Sequence, residues 1–385
     1  MPLKILIAPD KFKGTLTARA AAQAIAHGWR KTRPQDALTL LPMSDGGDGF
    51  GEIMGRLLGA KVQTVRTVDA ARRPCTARWW WEQKTRTAVI ESAGVIGLAM
   101  LPPGTFHPFA LDTFGLGAVI QAASAKGAQR CLIGIGGSAT NDGGFGLARA
   151  LGWEFLDRAG GLIKCWTDLH TLAEVRAPRR RRWFKELLVA VDVQNQLLGR
   201  RGATHVYGPQ KGLKPSELAA AENNLRRLAR VMSREGLNFQ THPGAGAAGG
   251  LGFGLLTFFG GRTEPGFDLF ARYSKLEERL RPADWVITGE GGLDASTLMG
   301  KGVGQIARRC CELRIRCLAL AGEINNRSKI LRRFSEAHAL TDLTSLKSAK
   351  SNPELWLGDL ARQVAANRGE NPQARTCFDR LPQVL

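Results

Sequence analysis

Six short apolar runs in this chain are each followed by a loop that carries glycine or an acidic residue. Short continuous apolar runs are typical of parallel strands that are buried on both faces. The carboxyl ends of such strands share one edge of a sheet, and open α/β sheets bind their ligands there. The runs and their loops span residues 7–14, 43–49, 135–144, 191–195, 288–294 and 321–323. Their recurrence predicts an α/β fold with ligand-binding loops along that edge.

The alternation of strands and helices is clearest at the two ends of the chain. Near the start it predicts strands at 5–8 and 38–43, a helix at 17–31 with Thr17 as its N-cap, and another helix after Gly49. Near the end it predicts strands at 285–288 and 317–321, and helices at 303–313 and 329–337. The middle differs, with three consecutive tryptophans, glycine tracts and a helix at 216–234. We predict a discontinuous Rossmann-like parallel-sheet domain, residues 1–68 and 283–385, with a second α/β domain, residues 69–282, inserted.

Composition narrows the classes of protein that the chain can belong to. The chain is 44% hydrophobic and 23% charged, which is typical of a globular protein. Its seven cysteines include no C-x-x-C pair, so neither a disulfide framework nor a zinc site is expected. The apolar stretch at the N-terminus is too short for a signal peptide, and no apolar run is long enough for a membrane helix. We therefore expect a cytoplasmic protein with no membrane partner.

The net charge of +20 would suit either a polyanion partner or anionic substrates. Its one dense run, Arg179 to Arg182, is typical of a solvated loop, so a nucleic-acid partner is not expected. Self-association into a homo-oligomer stays open.

Glycines and carboxylates in the same loops indicate phosphoryl transfer. Glycines let backbone N–H groups wrap an anion, and a helix that begins just afterwards adds its positive end. Carboxylates would repel a polyphosphate unless a divalent cation such as Mg²⁺ lies between them. Positioning and charge neutralisation supply most of the catalysis in phosphoryl transfer. Lysines suit phosphate or a substrate carboxylate, and the candidates are Lys11, Lys13, Lys211 and Lys301.

Two other functions compete with a kinase. The segment 134–139 fits G-x-G-x-x-A, and Asp157 follows at about the spacing of a ribose-binding acid, which would suit an NAD-type dinucleotide oxidoreductase. Against this function, the expected helix at 144–151 is short and the loop before it is polar. A non-catalytic relative that binds a polyanion is the third possibility. The P-loop and protein-kinase signatures are absent from the sequence.

Taken together, the loops resemble those of the bacterial glycerate kinase family, which phosphorylates glycerate with ATP. The resemblance extends over residues 3–365 and is carried by the segments 8–14, 42–49, 136–144, 207–212, 243–250 and 288–291. It implies a Rossmann-like domain with an inserted domain, the cofactors ATP and Mg²⁺, and a phosphoglycerate product, with the 2-phospho isomer favoured. The chain departs from the family pattern at Phe114, Leu116, Gln194, Gln196, Gly292, Ala295 and Ser296.

The resemblance and the loops lead to specific expectations for the site. We expect Lys211 or Lys13 to hold the carboxylate of glycerate, and Asp192, at the end of a buried strand, to act as the base for its hydroxyl. The candidate Mg²⁺ ligands are Asp45, Asp48 and Glu290. The nucleotide is expected on the glycine-rich loops, at Gly136, Gly137, Ser138, Thr140, Asn141, Gly246, Gly249 and Gly291.

Overall fold

The computed structural model of the protein describes residues 1–295, 297 and 302–368. Among the candidates from sequence, Lys301 and the departure at Ser296 lie outside the described residues. No helix in the described part of the chain is both long enough and apolar enough to cross a bilayer.

Strands and helices alternate along most of the described chain. The strands are β1 (Lys4–Ile7), β2 (Ala37–Leu40), β3 (Lys61–Val68), β4 (Pro74–Glu82), β5 (Thr87–Glu91), β6 (Arg130–Gly134), β7 (Glu154–Asp157), β8 (Leu172–Arg176), β9 (Glu186–Val191), β10 (Arg262–Pro265), β11 (Trp285–Thr288), β12 (Gly292–Leu293), β13 (Arg316–Ala321), β14 (Glu323–Ile324) and β15 (Glu336–Ala339). The helices are α1 (Ala18–Thr32), α2 (Phe50–Leu57), α3 (Ala93–Ile96), α4 (Leu116–Ala125), α5 (Phe145–Ala150), α6 (Ala203–Lys211), α7 (Leu218–Arg234), α8 (Ala247–Phe259), α9 (Gly266–Tyr273), α10 (Leu276–Leu280), α11 (Gly302–Glu312), α12 (Arg327–Ile330), α13 (Leu346–Ser351) and α14 (Pro353–Ala366).

The first of two compact units consists of Met1–Asp45 together with the described residues from Phe270 to Arg368. Its five-stranded sheet has the order β15-β13-β11-β1-β2, and every neighbouring pair is parallel. All four residues of the central strand β11 are buried, as a strand covered on both faces should be. The predicted α/β class with a parallel sheet is therefore confirmed.

Helix α1 follows from its sequence signals. The Thr17 side chain accepts a hydrogen bond from the Ala20 N–H at 3.1 Å, which satisfies one unpaired donor of the first turn. The buried face of α1, which ends with Trp29, packs in one apolar cluster with α14. Gly28 allows the close approach of the two helices, because a Cβ there would lie 1.9 Å from the Gly358 carbonyl oxygen.

Asp36 joins the end of α1 to the first strand. Its carboxylate accepts hydrogen bonds from the Leu3 N–H (2.9 Å), the Trp29 Nε1–H (2.9 Å) and the Arg33 Nε–H (2.6 Å). Burial opposes ionisation of this carboxyl, but these hydrogen bonds and the charge of Arg33 outweigh it and lower the pKa of Asp36.

We expect Asp36→Ala to destabilise the protein by about 3 kcal/mol at pH 7, because four donors from three residues, among them the Arg33 Nη2–H, lose a charged acceptor. A carboxyl group whose pKa is lowered by folding stabilises the folded state at a pH above its pKa in the unfolded chain, which is about 4. This stabilisation is lost as the pH falls through the pKa in the folded state. The difference in the free energy of unfolding between variant and wild type, measured by urea denaturation, should therefore shrink below about pH 4. Asp359→Ala, which removes the half-exposed Arg362 pair, is the control and should cost less than about 1 kcal/mol. Equal effects of the two substitutions would contradict this account of Asp36.

The second unit spans Gly46–Leu269 and contains a six-stranded sheet in the order β10-β9-β6-β5-β4-β3. Strands β5, β6, β9 and β10 are parallel, and β4 and β3 extend the sheet in antiparallel fashion. The three consecutive tryptophans lie in β4, with Trp79 and Trp81 in the main core of the unit. Trp80 points to the other face, where a Cβ at Gly51 of α2 would lie 2.0 Å from its ring.

One sequence-based assignment differs from the structure. The predicted helix at 329–337 is wrong, because α12 ends at Ile330 and Glu336–Ala339 forms the edge strand β15 against β13. Glu336 and the alanines favour helix locally, and pairing with β13 overrides that preference.

The predicted domain breaks after 68 and 282 stay a prediction. The compact units divide earlier in the chain, after Asp45 and after Leu269, and the first of these divisions keeps β3 with its partner β4. We propose domain boundaries at these earlier positions.

Candidate active site

In the second unit, a glycine-rich loop follows β6 and the segment that begins with Asp192 follows its neighbour β9. The two strands are joined where they end, since the Ile135 N–H donates to the Ala190 carbonyl at 3.4 Å. A second glycine tract, residues 244–250, packs on the Asp192 segment. There the Gly246 N–H donates to the Asn195 carbonyl at 2.8 Å, and a Cβ at Gly246 would lie 2.2 Å from the Gln196 carbonyl. The structure thus brings these three segments together.

Lys211, the last residue of α6, carries the buried positive charge of this group of loops. The residue is 7% exposed, and its Nζ donates a 2.6 Å hydrogen bond to the Thr140 carbonyl. Burial lowers its pKa to about 7, although the charge of Asp142 acts in the opposite direction. An ammonium has three donors, and within the described residues Lys211 has one hydrogen-bond acceptor and no ion pair. Two donors are therefore available to an anion.

The glycine tract makes room beside this ammonium. Ala248, Gly249 and Gly250 all have left-handed backbone, with φ values of 55°, 67° and 87°. A Cβ at Gly249 would lie 1.9 Å from the Thr140 carbonyl oxygen, 2.7 Å from the Asn141 Cα and 2.8 Å from the Lys211 Nζ. Only glycine fits there, because both the backbone conformation and the contacts exclude a side chain.

Asp142 organises the loop from within. Its fully buried carboxylate accepts hydrogen bonds from the Thr113 N–H (2.9 Å), the Thr113 Oγ1–H (2.8 Å), the Gly144 N–H (3.1 Å) and the Gly146 N–H (2.9 Å). Burial raises the pKa of Asp142, the nearby Asp112 acts in the same direction, and the hydrogen bonds oppose both. Asp142 therefore caps the start of α5, where the sequence suggested a phosphate.

Asp142→Ala should lower the free energy of unfolding by about 4 kcal/mol, because four buried donors lose their acceptor together. The measurement is urea denaturation at pH 7, with Asp168→Ala, an exposed aspartate of the same unit, as the matched control. A decrease of less than about 1 kcal/mol in the free energy of unfolding of Asp142→Ala would show that this carboxylate does not organise the loop.

The remaining part of the loop offers backbone donors next to a carboxylate. Within the described chain, the N–H groups of Gly137 and Ser138 have no hydrogen-bond acceptor. Asp48 approaches them, since its Oδ1 lies 2.2 Å from the position of a Cβ at Gly137. Asn141 donates from Nδ2 to the Thr204 Oγ1 at 3.1 Å, and its buried Oδ1 accepts no hydrogen bond from the described residues. A predicted nucleotide loop and one predicted metal ligand are therefore neighbours.

Asp192 lies beside a tyrosine that the sequence reasoning did not single out. Burial and then the charge of Asp192 raise the pKa of Tyr207 to about 12. The Tyr207 hydroxyl donates to the Asn195 Oδ1 at 2.7 Å, and the Asn195 Nδ2 donates to the Arg201 carbonyl at 2.6 Å. Asp192 itself is exposed, directly after the last residue of β9.

The first unit has an acidic cluster at the carboxyl edge of its own sheet, where Asp10, Asp45 and Glu290 follow β1, β2 and β11. Burial raises the pKa of Asp10 to about 8, the charges of Asp45 and Glu290 act in the same direction, and Lys11 partly offsets them. The Glu290 Oε1 accepts a hydrogen bond from the Thr297 hydroxyl at 2.8 Å.

Lys13 and Gly291 belong to the same edge of the first unit. Lys13 is exposed, and a Cβ at Gly291 would lie 3.2 Å from the Lys13 backbone nitrogen. In the first unit, Asp45 and Glu290 thus both act on Asp10, and Lys13 lies beside Gly291, the residue that follows Glu290. In the second unit the structure groups Lys211, Thr140, Asn141 and Gly249, and it groups Asp48 with Gly137.

Asp10, Tyr207 and Asn195 were not among the candidates from sequence. Asp10 comes three residues after the buried strand β1, so the rule that selected the other carboxylates could have found it. The sequence gives no comparable signal for the bond between Tyr207 and Asn195. Of the departures from the family pattern, Leu116 lies in the apolar core and Phe114 carries the Arg72 guanidinium 3.9 Å above its ring.

The features that favoured other functions have local structural roles. Asp157 closes a turn by accepting from the Ala159 and Gly161 N–H groups at 2.8 and 2.9 Å, and α5, after the G-x-G-x-x-A segment, has only six residues. In the exposed arginine run, Arg180 and Arg181 stack over Trp183 and Trp153 at 4.3 and 5.8 Å. Neither feature favours dinucleotide or polyanion binding.

Comparison with known proteins points in one direction. The model of the Glycerate kinase family matches residues 5–368. A glycerate kinase of Halalkalibacterium halodurans is 36% identical over 324 residues, which are 83% of this chain and 85% of the relative. The glycerate 2-kinase of Escherichia coli is 35% identical over 80% of this chain and 82% of its own length. The crystal structure of a Salmonella typhimurium LT2 protein assigned as glycerate kinase 2 has a TM-score of 0.78, with 32% identity over 96% of this chain and 99% of that chain.

Proposed function

The chain belongs to the glycerate kinase family, and we propose on that premise that it transfers the γ-phosphoryl group of ATP to a hydroxyl of glycerate. The structural observation that carries the proposal is the buried Lys211 ammonium with two unused donors. A buried cation is unfavourable unless an anion pairs with it and fills its hydrogen bonds. The carboxylate of glycerate has the charge and the acceptors that this position requires.

Asp192 is the proposed base. It is exposed at the end of β9, and it belongs to the same group of loops as Lys211. A carboxylate in this position can orient the glycerate hydroxyl and accept its proton while the bond to phosphorus forms. We propose that Lys13, which is exposed in the first unit, is a further positive charge that attracts an anionic ligand.

ATP with Mg²⁺ would supply the phosphoryl group and neutralise its charge. The described residues fit both. In the second unit, the N–H groups of Gly137 and Ser138 can receive phosphate oxygens, and Thr140, Asn141 and the glycines at 136, 246 and 249 belong to the same loops. Gly291, in the first unit, stays a separate candidate for contact with the nucleotide. Asp45 and Glu290 in the first unit, and Asp48 in the second, are hard oxygen donors of the kind that Mg²⁺ prefers. A cation beside Asp45 and Glu290 would relieve the repulsion that Asp10 experiences.

In the described part of the chain, no three acidic, histidine or cysteine side chains are close enough to hold a metal alone. This result agrees with Mg²⁺, which usually takes one or two carboxylates and completes its shell with phosphate oxygens and water. We therefore propose that Mg²⁺ enters with the nucleotide.

The finer points of the proposal rest on the relatives. The name of the Escherichia coli enzyme supports the 2-hydroxyl as the acceptor. The cytoplasm is the proposed compartment, since the cysteines among the described residues are all free thiols and free thiols persist in reducing compartments.

The direct test is turnover. Purified protein with ATP, Mg²⁺ and D-glycerate should release ADP, and ³¹P NMR should identify 2-phosphoglycerate as the product. Glycerol, which lacks the carboxylate, should react at least about 100-fold more slowly, because it cannot pair with Lys211. Absence of turnover with glycerate and related hydroxy acids would refute the proposal. Tight NAD(H) binding in the same preparation would instead favour the oxidoreductase.

A further inference from the structure

Tyr207 and Lys211 lie four residues apart in α6, which is about one helical turn, so they lie on one side of the helix. At the Lys211 end, the helix is fixed to the glycine-rich loop by the 2.6 Å bond from Nζ to the Thr140 carbonyl. At the Tyr207 end, it is fixed to the Asp192 segment by the 2.7 Å bond from the hydroxyl to the Asn195 Oδ1. One short helix therefore holds both segments.

Asn195 is the point at which the Asp192 segment is tied down. Its side chain accepts from Tyr207 and donates to the Arg201 carbonyl at 2.6 Å, and its own carbonyl accepts from the Gly246 N–H at 2.8 Å. Asp192 itself is exposed, three residues before Asn195. Asn195 thus links the segment that carries Asp192 to α6.

We propose that Tyr207 is a positioning residue for phosphoryl transfer, which holds Asp192 in register with Lys211 through its hydrogen bond to Asn195. The inference rests on the proposed function, because it assigns Tyr207 a task that serves Asp192 and Lys211. Tyr207 need not touch substrate for this task. The task requires the hydroxyl, because the hydroxyl makes the hydrogen bond to Asn195.

Tyr207→Phe removes that hydroxyl and keeps the ring. We expect kcat for glycerate to fall about tenfold to a hundredfold, since small misplacements of a catalytic group have effects of this size. KM for glycerate should stay within about twofold, because Lys211 keeps its bond to Thr140. Tyr273→Phe alters the other tyrosine of the chain, in α9, and is the matched control with unchanged kinetics.

A double-mutant cycle separates positioning from a general structural role. If Tyr207 acts through Asp192, Tyr207→Phe should have no further effect on kcat in the Asp192→Asn background. A decrease in kcat by the same factor in both backgrounds would overturn the inference and leave the proposed function intact. A wild type without turnover would refute the proposed function. In that case, hydrogen exchange tests whether Tyr207 fixes the segment that carries Asp192. Amides 192–196 should exchange at least about tenfold faster in Tyr207→Phe than in Tyr273→Phe, and equal rates would overturn the inference.

Discussion

Lys211→Met is expected to lower kcat/KM for glycerate by about 10³-fold while leaving the protein about as stable as the wild type. The loss of activity follows from removing the charged partner of a substrate carboxylate in a buried position. The stability is retained because methionine has similar bulk and carries no charge that must be desolvated, which offsets the lost hydrogen bond to the Thr140 carbonyl. Few catalytic substitutions combine these two outcomes, so the pair of measurements is informative.

Steady-state kinetics and urea denaturation of the same preparation test this prediction. Lys185→Met, at an exposed lysine of the same unit, is the matched control and should change neither quantity. The ratio of glycerate to glycerol turnover should also collapse in Lys211→Met, because the selectivity is assigned to this one charge. Retention of the wild-type ratio would mean that another group reads the carboxylate.

Asp192→Asn should reduce kcat by about 10² to 10⁴-fold with little change in KM for glycerate. The amide keeps the size of the carboxylate and cannot accept the hydroxyl proton. Asp168→Asn is the control for loss of one exposed carboxylate in the same unit. Full activity of Asp192→Asn would remove the assignment of the base and leave the assignment of the anion site untouched.

The same variant reports on geometry without any turnover. The chain has two tyrosines, and the charge of Asp192 contributes to raising the pKa of Tyr207 to about 12. Removing that charge should lower the pKa of Tyr207, which ultraviolet titration of tyrosinate can follow. An unchanged titration curve would show that Asp192 and Tyr207 are not neighbours.

Much of the fold could be predicted from the sequence because it depends on local signals. The cap at Thr17, the helical spacing that ends at Trp29 and the buried run Trp285–Thr288 all appear in the structure. The edge strand β15 could not be predicted, since its conformation comes from pairing with β13 and its residues favour helix. The antiparallel addition of β3 to the second sheet likewise depends on its partner strand.

The site shows the same division between local and long-range information. The glycine loops and their carboxylates were visible as motifs, because strands and turns impose their residue types. The state of Lys211 was not visible, since its burial and its bond to Thr140 join positions 71 residues apart. The raised pKa of Asp10 similarly comes from its burial, to which the charges of Asp45 and Glu290 from other parts of the chain add. Long-range packing therefore determines which of the motif residues have shifted pKa values.

The central claim is that Lys211 receives the carboxylate of glycerate, and proton uptake on binding tests it most directly. Burial lowers the pKa of Lys211 to about 7, so a fraction of Lys211 is unprotonated near neutral pH, and a bound carboxylate favours the charged form. Calorimetric titration of glycerate in buffers of different ionisation enthalpy should therefore show net proton uptake at pH 7 to 8. Affinity should fall as the pH rises above 7, and Lys211→Met should show no uptake. Equal proton uptake in wild type and Lys211→Met would contradict the claim.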